Sequence, residues 1–196
     1  MKQSQKSKSM NVAVLGLFAA ITVVLQLLSY AIKIGTFNLS LVLIPIVLAA
    51  VLYGPKYGAI IGAVFGVVVT VASIVGLDGG GQILFQASPA LTTLVCMAKG
   101  ILAGLFAGLI AKPIKKYNVY LSVISAAIIA PITNTGLFVI SMFAFFRETL
   151  YIWAGGTNVV YYAIVGLIGV NFLIELVINL VLSPAVLRVT KALQKF

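Results

Sequence analysis

Apolar residues fall in long continuous runs, with neither the period-two alternation of a half-buried strand nor the single apolar stripe of a surface helix. Six such runs follow one another, at residues 10–32, 39–53, 59–75, 84–111, 120–146 and 160–187. Most reach the roughly 20 apolar residues that an α-helix needs to cross a hydrocarbon core. The second is short and contains Pro45, and Gly54-Pro55-Lys56-Tyr57-Gly58 follows it with turn chemistry, so it reads as a short or broken span. The third ends at Gly76-Leu77-Asp78-Gly79-Gly80-Gly81, read as a flexible loop. An aromatic connection with Tyr151, Trp153, Tyr161 and Tyr162 separates the last two spans and suits an interfacial belt. The pattern predicts an all-α integral membrane protein: six transmembrane helices in a compact bundle, with residues 1–196 as one transmembrane domain.

Composition agrees, since 62% of the residues are hydrophobic and 8% charged, which leaves nothing for a soluble domain. Charge then sets the orientation. With six spans, Lys2, Lys6, Lys8, Lys56, Lys112, Lys115, Lys116, Arg188, Lys191 and Lys195 share one side of the membrane, with no acid among them. The other side holds Lys33 and Arg147 against Asp78 and Glu148. By the positive-inside rule both termini are cytoplasmic and residues 1–9 form a basic cytoplasmic tail. Such an excess marks cytoplasmic loops, so no nucleic-acid partner is expected. The first run is too long for the core of a signal peptide and reads as a retained helix.

Absent residue types narrow the chemistry. There is no histidine, which removes Ser-His-Asp catalysis, histidine-ligated zinc and a histidine proton relay together. No metal and no resident cofactor are expected. The single cysteine, Cys96, lies in an apolar run and reads as a small core hydrophobe.

Polar groups at membrane depth are few. Lys99 and Glu175 are the ionisable ones, and each needs a partner, a ligand or water. Lys99 is either a cationic contact for an anionic substrate or a lysine paired with Glu175 to hold helices together. Asn171, Glu175 and Asn179 recur every four residues on one helix face, as a cavity wall or as interhelical glue. Thr133-Asn134-Thr135 follows Pro131, whose ring frees a backbone carbonyl. In the first span Ala13, Gly16 and Ala20 form a smooth strip, for internal packing or for docking another membrane subunit. Gly100, Ala103, Gly104, Ala107 and Gly108 make a second small-residue set, read as internal.

These features occur together in one known family. The lysine-tagged N-terminus before a small-residue helix, the stretch from Leu43-Ile44-Pro45 to Gly54-Pro55-Lys56-Tyr57-Gly58-Ala59, the run from Ala103 to Ile110, Thr133-Asn134-Thr135, and Asn171 to Glu175 leading to Ser183-Pro184 follow in order. In that order the chain resembles the substrate-binding S component of energy-coupling factor (ECF) vitamin transporters, most closely the pantothenate type. The resemblance implies a six-helix bundle holding a vitamin near its outer side. It also implies docking through the first helix, Ala13, Gly16 and Ala20, on a membrane coupling subunit driven by two ATPase subunits. The strip here is Gly16-xxx-Ala20, where the family usually has Ala-xxx-Ala. No phosphate-binding loop occurs in the chain, so ATP hydrolysis is expected in partners and the chain is not an enzyme.

Pantothenate carries one carboxylate, one amide and two hydroxyls. Lys99 or Arg147 would take the carboxylate, Asn134 and Asn171 the amide and hydroxyls, with Thr133 beside them. Glu175 takes a structural or hydrogen-bonding role first and ligand contact second. Gly79, Gly80 and Gly81 are either an outer gate or a plain turn. Folate or riboflavin is the alternative vitamin, and would require aromatic stacking. A small channel, or a membrane-embedded enzyme with Glu175 as its one deep carboxylate, are the readings from other classes.

Overall fold

The computed structural model describes the backbone of residues 2–193 apart from 32, 35, 36, 39 and 40, and the side chains of 13–31, 41–167, 169 and 172–188. The side chains of Lys2, Lys6, Lys8, Lys33, Asn171, Lys191 and Lys195 lie outside the described residues.

Helix α1 spans Lys2–Ser29. It leads into a hairpin of two-residue strands, β1 (Lys33–Ile34) and β2 (Phe37–Asn38), antiparallel with Lys33 opposite Asn38, an element the apolar runs do not announce. Helix α2 covers Leu43–Tyr53. Pro45 sits in its first turn, where N–H groups lack intrahelical acceptors and a proline costs little. Gly54 at φ 99° makes the corner into α3 (Pro55–Val75), and Gly76 at φ 80° ends α3 in the left-handed conformation that glycine adopts without strain.

Two segments depart from the pattern reading. The expected loop at Gly79, Gly80 and Gly81 is instead the first turn of a short helix, α4 (Gly79–Ala87). Asp78 caps it, its carboxylate accepting the Gly81 N–H at 3.2 Å, and this favourable N-cap outweighs the low helix propensity of three glycines. The run expected as one span at 84–111 is broken at Ser88, which is extended (φ −159°, ψ 101°) because Pro89 follows it. Helix α5 then runs Pro89–Lys115, α6 Val119–Phe145 and α7 Arg147–Ala154. The last span opens with one turn of α8 (Val159–Tyr161), passes through a π-helical stretch Tyr162–Gly169, and continues as α9 (Val170–Leu193).

Four of these segments are long and apolar enough to cross a membrane: Pro55–Val75, Pro89–Lys115, Val119–Phe145 and Val159–Arg188. Ala13–Ser29 and α2 are apolar but shorter. At 11 residues α2 extends only about 16 Å, and Val42, Leu43, Ile46, Val47, Ala49 and Ala50 are fully buried. It is a core helix wrapped by its neighbours.

The closest packing in the bundle is between α3 and α5, which run antiparallel. Gly58, Gly62 and Gly66 on α3 meet Gly104, Gly100 and the Cys96–Met97 backbone on α5, and Gly108 meets Pro55. A Cβ added at Gly62 would run into the Gly100 carbonyl, and one at Gly66 would lie 2.8 Å from the Cys96 carbonyl oxygen. Two interlocked every-fourth-residue glycine rows thus bring backbone against backbone. The set at Gly100, Gly104 and Gly108 is internal, as its spacing suggests, and its partner row on α3 completes it.

Two apolar clusters flank this seam. The larger joins Leu43, Ile46, Val47, Ile61 and Phe65 to Ala107, Ala111, Val123, Val186 and Leu187. The smaller, at the other end, joins Leu84, Val95, Met142, Phe146, Leu150 and Leu167, so that α4 and α7 are pinned by Leu84 and Leu150.

Gly62→Leu should lower the thermal stability of the detergent-purified protein by about 3 kcal/mol or more, because backbone rather than a movable side chain stands in the way. Gly16→Leu, at an outward position with nothing within 4 Å, should leave the melting temperature within a degree or two of the parent.

Candidate functional site

At the end of the bundle where α3 terminates and α4 begins, a cavity partly open to the outside lies among α1, α3, α4, α5, α6 and the last span. Each wall is set by helical periodicity. From α1 come Gln26 and Tyr30, from α3 Val69 and Ser73, from the α4 cap Asp78, Gly81 and Leu84. Helix α5 supplies Thr92, Val95, Cys96 and Lys99, which the i, i+3, i+4, i+7 spacing places on one helix face. Asn134, Thr135 and Phe138 come from α6, Phe146 from its end, and Leu167, Phe172 and Glu175 from the last span.

Lys99 is half-buried about 15 Å along α5 from its start. Its ammonium stands over two phenylalanine faces, with Nζ 5.6 Å from the Phe65 centroid and 5.5 Å from the Phe138 centroid. Each such contact at a desolvated site is worth up to about 2 kcal/mol, and the rings hold the charge without neutralising it. A cation supported in this way keeps its donors for an anionic group in the cavity.

Around it are polar atoms with no hydrogen-bond partner among the described residues: Gln26 Oε1, Thr92 Oγ1 and Asn134 Oδ1, buried on side chains 3%, 2% and 5% exposed. A buried polar atom without a partner costs about 1–3 kcal/mol, so three facing one cavity describe a site that a ligand or water completes. Two carboxyl groups share the walls. Asp78 is engaged as the α4 cap, and Glu175 is 6% exposed on α9.

Among the residues singled out from sequence, Lys99, Asn134 and Glu175 converge on this cavity, and Gly81 lines it through its backbone. A Cβ at Gly81 would strike the Ser73 hydroxyl, so glycine is required there for packing. Thr133 is half-buried and lies outside the cavity lining, where Asn134 and Thr135 take the wall positions. Arg147 is exposed on α7, with its guanidinium 5.7 Å over the Tyr151 ring and 3.4 Å from the Tyr151 hydroxyl, outside the cavity lining. Asn179 is buried but spends its amide on its own helix, donating to the Glu175 main-chain carbonyl at 2.8 Å, so the stripe on α9 is in part intrahelical. Ala13, Gly16 and Ala20 are all exposed on the outer face of α1. Gln26, Tyr30, Ser73 and Thr92 are wall residues that the pattern reading passed over. Thr22, Gln26 and Tyr30 repeat every fourth position in an otherwise apolar helix, and that stripe was the available signal.

An apolar helical bundle with a partly enclosed polar cavity at one end defines a multi-pass membrane protein shaped to hold a small ligand. The family model described as ECF transporter, substrate-specific component, matches residues 10–187, and the chain belongs to that family. It is a substrate-binding transport subunit, not a catalyst. Compared with individually curated proteins, the chain matches none.

Asn134→Leu should raise the melting temperature of the ligand-free protein, since it removes an unpartnered buried amide oxygen, while weakening ligand binding at least tenfold; paired thermal and binding measurements on one preparation check this.

Proposed function

We propose that the chain is a high-affinity pantothenate-binding subunit of an ECF importer. The observation that carries this reading is the Lys99 ammonium, held by Phe65 and Phe138 at the wall of a cavity in which Gln26 Oε1, Thr92 Oγ1 and Asn134 Oδ1 lack hydrogen-bond partners among the described residues. A carboxylate at Lys99 restores the charge pairing that two rings cannot supply, and the amide and two hydroxyls of pantothenate match Asn134, Gln26 and Thr92. Glu175 acts as a structural or hydrogen-bonding group on the facing helix, and Asn171, one turn earlier, is a further contact. Thr133 and Arg147 support the site from outside its lining, and the Gly79-Gly80-Gly81 turn with α4 is the element that opens and closes over the ligand.

The rest of the reading follows the family. Residues 1–196 form one domain of six spans, α1 and α2 included, with both termini cytoplasmic in a bacterial plasma membrane. The exposed strip Ala13, Gly16 and Ala20 docks on the membrane coupling subunit, which two ATPase subunits drive. In support, Lys56, Lys112, Lys115 and Lys116 cluster where α3 begins and α5 ends, opposite the cavity. A second reading, a vitamin with an aromatic ring such as riboflavin or folate, is favoured by Tyr30, Phe138, Phe146 and Phe172 in the cavity walls.

A thermal-shift screen against water-soluble vitamins tests the proposal. Pantothenate at a hundredfold excess over its Kd should stabilise the protein by about 2.7 kcal/mol, a shift of several degrees. Lys99→Ala should weaken binding about ten- to a hundredfold. A shift with riboflavin or folate alone replaces the ligand, and no shift with any vitamin rejects the site.

A further inference from the structure

A second cavity, open to the outside, lies at the opposite end of the bundle between the α2–α3 corner and the last turn of α5. Its walls carry Tyr53, Lys56, Tyr57, Lys112 and Lys115. The lysines have no acid beside them: Asp78, Glu148 and Glu175 are the chain's three acids, and none lines this cavity. We propose that this cavity binds the phosphate of an anionic phospholipid headgroup.

The three lysines do different work. Lys115 is committed to the protein, its ammonium donating to the Val51 carbonyl at 2.8 Å and reaching the Leu52 carbonyl at 3.5 Å, where it neutralises the carbonyl end of α2. Lys56 and Lys112 are exposed, and their charges are available. Between them opens the N-terminus of α3, a 21-residue helix whose dipole adds positive potential. Its first turn is unusually bare. Gly54 offers no capping side chain, Pro55 has no N–H, and the Tyr57 and Gly58 N–H groups bond the Gly54 carbonyl at 3.1 and 3.2 Å. The Lys56 N–H has no acceptor among the described residues.

Depth selects the occupant. Pro55 is the first residue of a membrane-crossing helix and Lys115 the last of another, so the cavity sits where hydrocarbon gives way to headgroups. Tyr53 and Tyr57, rings 5.6 Å apart, are of the type that settles at that level, and Ile60 one turn on is exposed toward the chains. The oxyanion abundant at that depth is the lipid phosphodiester. Lys56, Lys112 and the α3 N-terminus would hold it while its acyl chains follow the outer face of α3.

Native mass spectrometry of the full chain in detergent, titrated with phosphatidylglycerol or phosphatidylcholine, tests this. Phosphatidylglycerol should be retained preferentially, with retention falling about fivefold in each of Lys56→Gln and Lys112→Gln, in line with about 1 kcal/mol per basic residue at a lipid surface. Lys56→Arg and Lys112→Arg should retain the lipid, which separates loss of charge from loss of fold. Equal retention of the two lipids, or full retention by the doubly substituted Gln protein, would overturn the proposal. Displacement of the lipid by millimolar inorganic phosphate would also overturn it, by assigning the site to free phosphate.

Discussion

The backbone-to-backbone approach of α3 and α5 fixes the rest of the structure. In a bilayer, burying one apolar surface against another gains little over leaving both in lipid, so helix association depends on dispersion at close range. Gly58, Gly62 and Gly66 opposite Gly104, Gly100 and the Cys96–Met97 backbone provide that range along a little over two helical turns. Helices α2 and α6 then pack on the resulting pair through Ala107, Ala111, Val123 and Ala126, which are also small.

The same seam sets up the candidate site. Gly100 leaves room for Phe65, whose Cδ1 would lie 3.0 Å from any Cβ placed there, and Phe65 is the ring on which the ammonium of the adjacent Lys99 rests. A cation is thereby held at membrane depth against two ring faces. At the far end of the two helices the seam closes with Gly108 against Pro55, and the basic corner follows from that contact. One row of glycines accordingly spaces the candidate ligand cavity and the basic cavity at the opposite end of the same helix pair.

The sequence showed much of this and hid the rest for physical reasons. Long apolar runs are an unambiguous signal, so the helical membrane class and four of the spans could be read directly. Periodicity says less inside a continuous run. The break at Ser88 rests on one extended residue before Pro89, and the helix at Gly79–Ala87 on a capping aspartate that outweighs three glycines. The π-helical stretch at Tyr162–Gly169 has no compositional mark. In the site, Lys99, Asn134 and Glu175 stood out because polar groups are costly at depth. Gln26 and Thr92 did not, because uncharged residues in an apolar helix look like ordinary packing until the structure shows what they face. Arg147 attracted notice by its charge, yet three-dimensional placement puts it over Tyr151, outside the cavity lining.

The central claim is that Lys99 meets the anionic end of the ligand. Calorimetric titration of pantothenate and of its neutral alcohol analogue, pantothenol, into the parent protein and Lys99→Met tests it most directly. The account predicts that the parent prefers pantothenate by about ten- to a hundredfold and that the preference disappears in the variant. Equal affinities in the parent, or a preference that survives the substitution, would contradict it.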